Sequence, residues 1–161
     1  MPTADRHPVV LAVCLGNICR SPTAEAALRE AADSAGVDLE VHSAGTGRWH
    51  LGDPPDARMR RAAAQQGLTL TGVAEQVDAD ALAEADLVLA MDRRNLADLQ
   101  QLAAGRGVDT PIRLYREFDP EAGDDLEVPD PYYGGPNGFV EVVEVVRRAA
   151  PGVVAHLAGE R

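Results

Sequence analysis

Apolar and polar positions change their period several times along the chain. Val9 to Val13 is a continuous apolar run, which predicts a buried strand. A Gly/Asn turn follows, then Ser21-Pro22, a favoured N-cap followed by a residue suited to the first helical position. Ala24 to Ala35 then reads as a helix closed by Gly36. Leu39 to His42 is a short second strand, running into a loop at Ser43-Ala44-Gly45-Thr46-Gly47. Behind Pro54-Pro55, Asp56 to Gln66 reads as a helix stopped by Gly67. Leu87 to Ala90 is another buried strand, Arg93 to Ala104 another helix, and Ile112 to Tyr115 the last strand. Residues 117–137, rich in Pro, Gly and Asp, read as one long loop, a kind of segment that often carries function. Phe139 to Leu157 closes the chain as a helix that Pro151 is expected to kink or interrupt.

Strands alternating with helices predict a single α/β domain with a small parallel sheet of about four strands and helices on both faces. Binding sites in such folds lie at the carboxyl ends of strands. The first strand ends at Cys14.

Composition narrows the function. At 161 residues the chain suits one domain, expected over residues 8–161 behind a flexible tail at residues 1–7. No apolar run is long enough to cross a membrane, and the start has no apolar signal core, so membrane partners are not expected and a cytoplasmic address is. The net charge of −11 argues against nucleic acid as a partner. An anion site in so acidic a chain has to be a concentrated local device. Every Lys/Arg position is Arg, which reads as base composition. Cys14 and Cys19 are too few for a disulfide scaffold and lack zinc-site spacing. The four histidines are scattered and read as surface or packing residues. The acidic stretch Asp119 to Glu127 reads as a solvated loop rather than a metal site.

The concentrated device is Val13-Cys14-Leu15-Gly16-Asn17-Ile18-Cys19-Arg20-Ser21-Pro22, joining a buried strand to a helix start. Gly16 and Asn17 tolerate left-handed backbone, which lets successive N–H groups point into one concavity. The helix N-terminus adds partial positive charge, so a phosphate-binding loop after the first strand is expected. Its N–H groups and Arg20 would favour the Cys14 thiolate, a good nucleophile towards phosphorus. Arg20 can hold two phosphate oxygens with its planar fork. The Ser21 hydroxyl could donate to the thiolate as it leaves.

This loop resembles the signature loop of the low-molecular-weight protein-tyrosine phosphatases, bacterial type. Asp130-Pro131-Tyr132-Tyr133-Gly134 is similar to that family's general-acid loop, and Ser43-Ala44-Gly45-Thr46 and Met91-Asp92 fall where the family has similar segments. The resemblance covers nearly the whole chain. It implies hydrolysis of phosphotyrosine in proteins through a cysteinyl-phosphate on Cys14, with Arg20 and the amides of Leu15 to Cys19 holding the phosphoryl group and Asp130 as general acid. It also implies a hydrogen-bond network of Asn17, Ser21 and Ser43 that shapes the loop. Trp49 and Tyr132 are implied as cleft walls, with Tyr133 a weaker candidate, and Cys19 as a redox partner able to bridge to Cys14. No metal or organic cofactor is implied. By register from Gln76, Gly72 stands where the family usually has a His of that network. The expected partners are a tyrosine-phosphorylated protein and, in the loop, phosphate or other oxyanions. The oligomeric state is left open, monomer included.

Three other readings compete. Arsenate reductases of this fold relay a disulfide through further cysteines, and none follows Cys19. Protein-arginine phosphatases resemble the loop but carry Thr before the second Cys, where this chain has Ile18, and they lack the doubled Tyr. A non-catalytic phosphate-recognition module would need loss of Cys14, Arg20 or Asp130, and all three are present.

Overall fold

The computed structural model describes residues 7–131 and 137–159. The expected tail, apart from His7, lies outside the described residues, and so do Tyr132 and Tyr133. Four strands form one sheet: β1 (Val9–Cys14), β2 (Glu40–Gly45), β3 (Leu87–Ala90) and β4 (Ile112–Leu114), in the order β2-β1-β3-β4 with every pairing parallel. The helices are α1 (Arg20–Ala35), α2 (Ala57–Gln65), α3 (Ala79–Glu84), α4 (Arg93–Arg106) and α5 (Gly138–Gly159).

Side chains of β1 alternate between two cores, as the strand's period of two requires. Val10, Ala12 and Cys14 join the cluster built with α1, α2 and α5, while Leu11 and Val13 join the one built with Leu82 of α3 and Leu99 of α4. Helices therefore cover both faces, and β1, paired on both sides, is buried as its unbroken apolar run predicts.

Several local expectations change. The second strand extends to Gly45, so Ser43 and Ala44 sit on an ordered strand rather than in a loop, paired with Ala12 and Val13 of β1. The first main helix begins at Arg20, with Cys19 at its N-cap, so Ser21 is not the cap and Pro22 takes the third helical position. Pro is still tolerated there, because the first-turn N–H groups have no intrahelical acceptor. Helix α3, capped by Asp78 accepting from the Ala81 N–H, is too short to announce itself by period. The long loop begins with a 3-10 turn, Tyr115–Phe118. Helix α5 runs on through Pro151. A side chain at Gly152 would meet the Phe118 carbonyl at 2.5 Å, so the helix and the turn approach backbone to backbone.

The stretch from Asp119 is not solvated throughout. The Asp119 side chain is fully buried, gripped by Arg148 at 2.8 and 2.9 Å and by Arg116 at 3.1 Å. Arg116 also donates to the Glu127 carbonyl at 3.1 Å. The segment leading to Asp130 is thereby tied to α5 and to the 3-10 turn.

Candidate active site

The sheet order puts a crevice beyond the carboxyl ends of β1 and β3, where the chain's connections diverge to opposite faces. Two segments enter it there: Cys14 to Arg20 after β1, and Met91-Asp92 after β3.

In the first segment four carbonyls are occupied by neighbouring donors. Cys14 O accepts from the Thr46 N–H, Leu15 O from Gly47 and Ile18 O from Asp56, each at 2.8–2.9 Å, and Cys19 O accepts from the Thr23 hydroxyl at 2.7 Å. The N–H groups of Leu15, Gly16, Ile18, Cys19 and Arg20 make no hydrogen bond to another described residue. Most carbonyls engaged and a run of amides free is the arrangement of an anion nest at a helix N-terminus. Asn17 is the one described non-glycine residue with positive φ, at 58°. Gly16 is not left-handed, and a Cβ there would stand 3.0 Å from the His50 ring. Gly45 is constrained in the same way, since its Cβ would lie 2.7 Å from the Leu15 carbonyl.

Asn17 holds the loop in shape with its backbone N–H and both side-chain polar atoms. Its N–H points at the Cys14 sulfur at 3.3 Å, its Nδ2 donates to Ser21 Oγ at 2.8 Å and Ser43 Oγ at 3.1 Å, and its Oδ1 accepts from the Glu75 N–H at 2.9 Å. Ser21 Oγ lies 3.1 Å from Cys14 Sγ and 3.4 Å from the Ala44 carbonyl. With Asn17 donating to it, the hydroxyl can direct its proton to sulfur, the nearer acceptor. Ser43 Oγ donates to Glu25 Oε1 at 2.6 Å. The Asn17, Ser21 and Ser43 cluster expected from the sequence is thus assembled. Gly72, in left-handed backbone at φ 83°, lies along a neighbouring cleft with Ser43 and Glu25 and has open space where a side chain would be. The Glu25 carboxylate and the Glu75 amide close the network from that side.

Arg20 is buried, and two carboxylates flank it. Its Nη1 donates to Asp92 Oδ2 at 2.9 Å and to the Val128 carbonyl at 3.1 Å, while Nη2 stands 3.7 Å from Asp130 Oδ2. Burial works against its charge, but the Cys14 sulfur, the hydrogen bond it donates to Asp92 and the charges of Asp92 and Asp130 outweigh burial and raise its pKa. The guanidinium stays a cation. With Nη1 committed, the edge formed by Nε and Nη2 is the one that can take an oxyanion in two-pronged fashion. Asp92 also caps α4 through the Asn95 N–H at 2.7 Å, so it positions Arg20 from a rigid helix end.

The cleft has a volume of about 110 Å³ and is lined by Cys14, Leu15, Gly16, Ile18, Cys19, Arg20, Trp49, His50 and Asp130. Trp49 is exposed, yet a Cβ on Gly47 would clash with its ring, so the indole packs directly against that glycine. Cys19 is buried, and burial first, then Asp56 and Cys14, pushes its thiol well up, which keeps it neutral. Among the described residues no group of three or more His, Cys, Asp or Glu is arranged to hold a metal. Sequence reasoning missed three contributors. Asp92 was noted but not given its clamp on Arg20, although its place just after β3 is a signal for a site. His50 and Glu25 left no such signal, because their place depends on how loop and helix meet.

The chain's residues 9–161 match the family model described as low molecular weight phosphotyrosine protein phosphatase. The chain belongs to that family. A low molecular weight protein-tyrosine-phosphatase of Streptomyces coelicolor is 44% identical to it over 146 residues, 89% of each chain. Among solved structures it is similar to a protein tyrosine phosphatase from Entamoeba histolytica with Hepes in the active site, at 31% identity and TM-score 0.88, covering 95% of this chain and 98% of that one. It is also similar to a Drosophila arginine phosphatase, at 31% identity and TM-score 0.84 over 91% and 96% of the two chains. Membership of the family therefore fixes the fold and a phosphatase chemistry, while the preferred phosphoester is a matter for the cleft's own residues.

Proposed function

We propose that the protein hydrolyses phosphotyrosine in proteins, with Cys14 as nucleophile, Arg20 as phosphate clamp and Asp130 as general acid. The observation that carries the reading is the meeting of all three around one small cleft in which five loop amides have no described partner. The thiolate of Cys14 attacks phosphorus while the phosphorus–oxygen bond to tyrosine breaks. Asp130 gives its proton to the departing oxygen, which leaves as a neutral phenol. Water then attacks the cysteinyl-phosphate, Asp130 takes a proton from it, and sulfur leaves as thiolate with a hydrogen bond from Ser21. Arg20 and the amides hold the three equatorial oxygens through both steps, in the place where charge is fixed and costs no reorganisation. No metal or organic cofactor is called for.

Ile18 and Trp49 make the mouth apolar, which suits an aromatic ring better than a guanidinium. The likeness to the Drosophila arginine phosphatase makes phosphoarginine the second reading, and Ile18 speaks against it. Ile18→Thr should move the ratio of kcat/KM between matched phosphotyrosyl and phosphoarginyl peptides towards phosphoarginine; an unchanged ratio removes Ile18 from the choice. A cytoplasmic protein bearing phosphotyrosine is the partner this reading implies. Among the described residues no helix is long and apolar enough to cross a membrane.

The role of Asp130 is tested through the leaving group. A phenol of pKa about 10 leaves poorly unless protonated, and a general acid contributes about a hundred- to ten-thousand-fold. Asp130→Asn should slow phosphoenzyme formation severely for phosphotyrosine and mildly for aryl phosphates of acidic phenols. Equal dependence on phenol pKa in variant and wild type transfers the role to another carboxylate, Asp92 first.

A further inference from the structure

The active-site cleft continues past Trp49. Leu15 and Trp49 wall it on one side and also line a second groove of about 340 Å³, together with Thr46, Arg94, Asp98 and Leu102 among others. The two side chains form a shared apolar ridge, Leu15 39% exposed and Trp49 75%. Arg94, in the first turn of α4, is exposed and makes no ion pair or hydrogen bond with any described residue. Asp98, one turn further on, opens on the same groove without lying within ion-pair distance of it. In the wall, Thr46 Oγ1 is buried with no hydrogen-bond partner among the described residues.

We infer that this groove takes the polypeptide beside the phosphotyrosine, and that Arg94 there selects an acidic side chain. The inference rests on the phosphotyrosine reading above. With the ring in the first cleft, the substrate's main chain emerges at the mouth, beside Leu15 and Trp49. An extended chain advances about 3.3 Å per residue, so side chains roughly one to three positions away reach across the ridge. Of the groove's two charges, only the guanidinium can pair with a peptide carboxylate, and its fork suits one. Asp98 opposes it, which limits the preference. The protein's net charge of −11 repels acidic peptides at range, but that field is screened beyond about 8 Å in physiological salt, leaving the contact at Arg94 to decide. An exposed pair of this kind is worth about two- to fivefold in affinity.

The experiment compares kcat/KM for phosphotyrosyl peptides that differ only in carrying Glu, Gln or Arg at one flanking position at a time. Wild type should prefer Glu to Gln by about two- to fivefold at one or two neighbouring positions, through KM and not kcat, and less so at high salt. Arg94→Gln should lose that preference, Arg94→Glu should turn it towards Arg, and Asp98→Asn should enlarge it. A Glu/Gln ratio that is the same in wild type and Arg94→Gln overturns the inference. So does a change of oligomeric state in Arg94→Glu with unchanged peptide ratios, which would make the groove a contact between copies. Wild-type turnover of an aryl phosphate lacking any peptide keeps the two readings apart. Turnover without flank selectivity sinks the groove alone, and absence of turnover sinks the phosphatase reading with it.

Discussion

Replacing Asp119 by Asn should unfold the protein more easily at neutral pH and should do so by an amount that depends on acidity. The side chain is wholly buried and meets two cations, Arg148 through two hydrogen bonds and Arg116 through one, while its Oδ1 also accepts from the Glu121 N–H at 2.9 Å. The bonds from Arg148 first, then those from Glu121 and Arg116, overcome the cost of burial and hold its pKa down to about 2. Relative to water, the folded protein thus favours the ionised form by roughly 2–3 kcal/mol. Asn keeps the shape but takes the buried charge away from both guanidiniums, leaving Arg116 only the exposed Asp125 at 3.3 Å, and breaking a buried pair in this way costs up to about 3–5 kcal/mol. A loss of about 2–4 kcal/mol is expected, or roughly 5–15 °C in Tm for a chain of this size. Because the folded pKa lies below the unfolded one, the contribution is complete above about pH 4 and fades as pH falls towards about 2. Urea unfolding of both proteins, followed from about pH 7 down to about pH 2.5, reads the difference directly. The gap should be full at neutral pH and shrink below about pH 4. A gap under about 0.5 kcal/mol at pH 7, or one that stays constant into acid, refutes the ion-pair account of this loop. Catalysis should suffer too, since Arg116 ties the Glu127 carbonyl just ahead of Asp130.

Three further predictions test the cradle. Arg20→Lys keeps the charge and loses the fork, so turnover of an aryl phosphate should fall on the order of a hundred-fold or more; near-normal activity would mean that charge alone suffices. Gly45→Ala drives a methyl to 2.7 Å from the Leu15 carbonyl, so it should displace the loop, cost about 1–3 kcal/mol in denaturant unfolding and weaken competitive inhibition by inorganic phosphate, whereas unchanged phosphate affinity shows that the loop yields without harm. After peroxide treatment, a dithiol should restore the wild type better than Cys19→Ala, because a bridge between two buried neighbouring thiols shields Cys14 from irreversible oxidation; equal recovery removes Cys19 from that role.

What could be read from the sequence is what depends on short range. The apolar run of β1, the Gly/Asn turn and the helix start lie within one stretch, so Cys14, the loop amides and Arg20 were visible together. Asp130 was not visible on local grounds, since Asp before Pro is ordinarily a turn residue; only its partnership with the loop through family resemblance singled it out. Left-handed backbone was expected at Gly16 and Asn17, but only Asn17 uses it. A Cβ at Gly16 would crowd the His50 ring, a tertiary contact that no local propensity encodes. The solvated reading of Asp119 failed for a similar reason. Acidic residues in a stretch rich in Pro, Gly and Asp are usually exposed, and Asp119 is buried where Arg116 and, from α5 29 positions later, Arg148 meet it. Helix α3 was missed because six residues are too few to display a helical period. The strand β2 was ended too early, since Ser43, Ala44 and Gly45 read as turn residues until their pairing with β1 is known.

The central claim is that phosphoryl transfer passes through the sulfur of Cys14. Mixing wild-type enzyme with a phosphotyrosyl peptide, quenching in acid within a turnover and mapping the phosphoryl group by mass spectrometry measures this most directly. The label should sit on Cys14, should be absent from Cys14→Ser, and should appear as a burst when the aryl phosphate has an acidic phenol. Turnover with no phosphorylated enzyme, or with the phosphoryl group on any residue other than Cys14, contradicts the account.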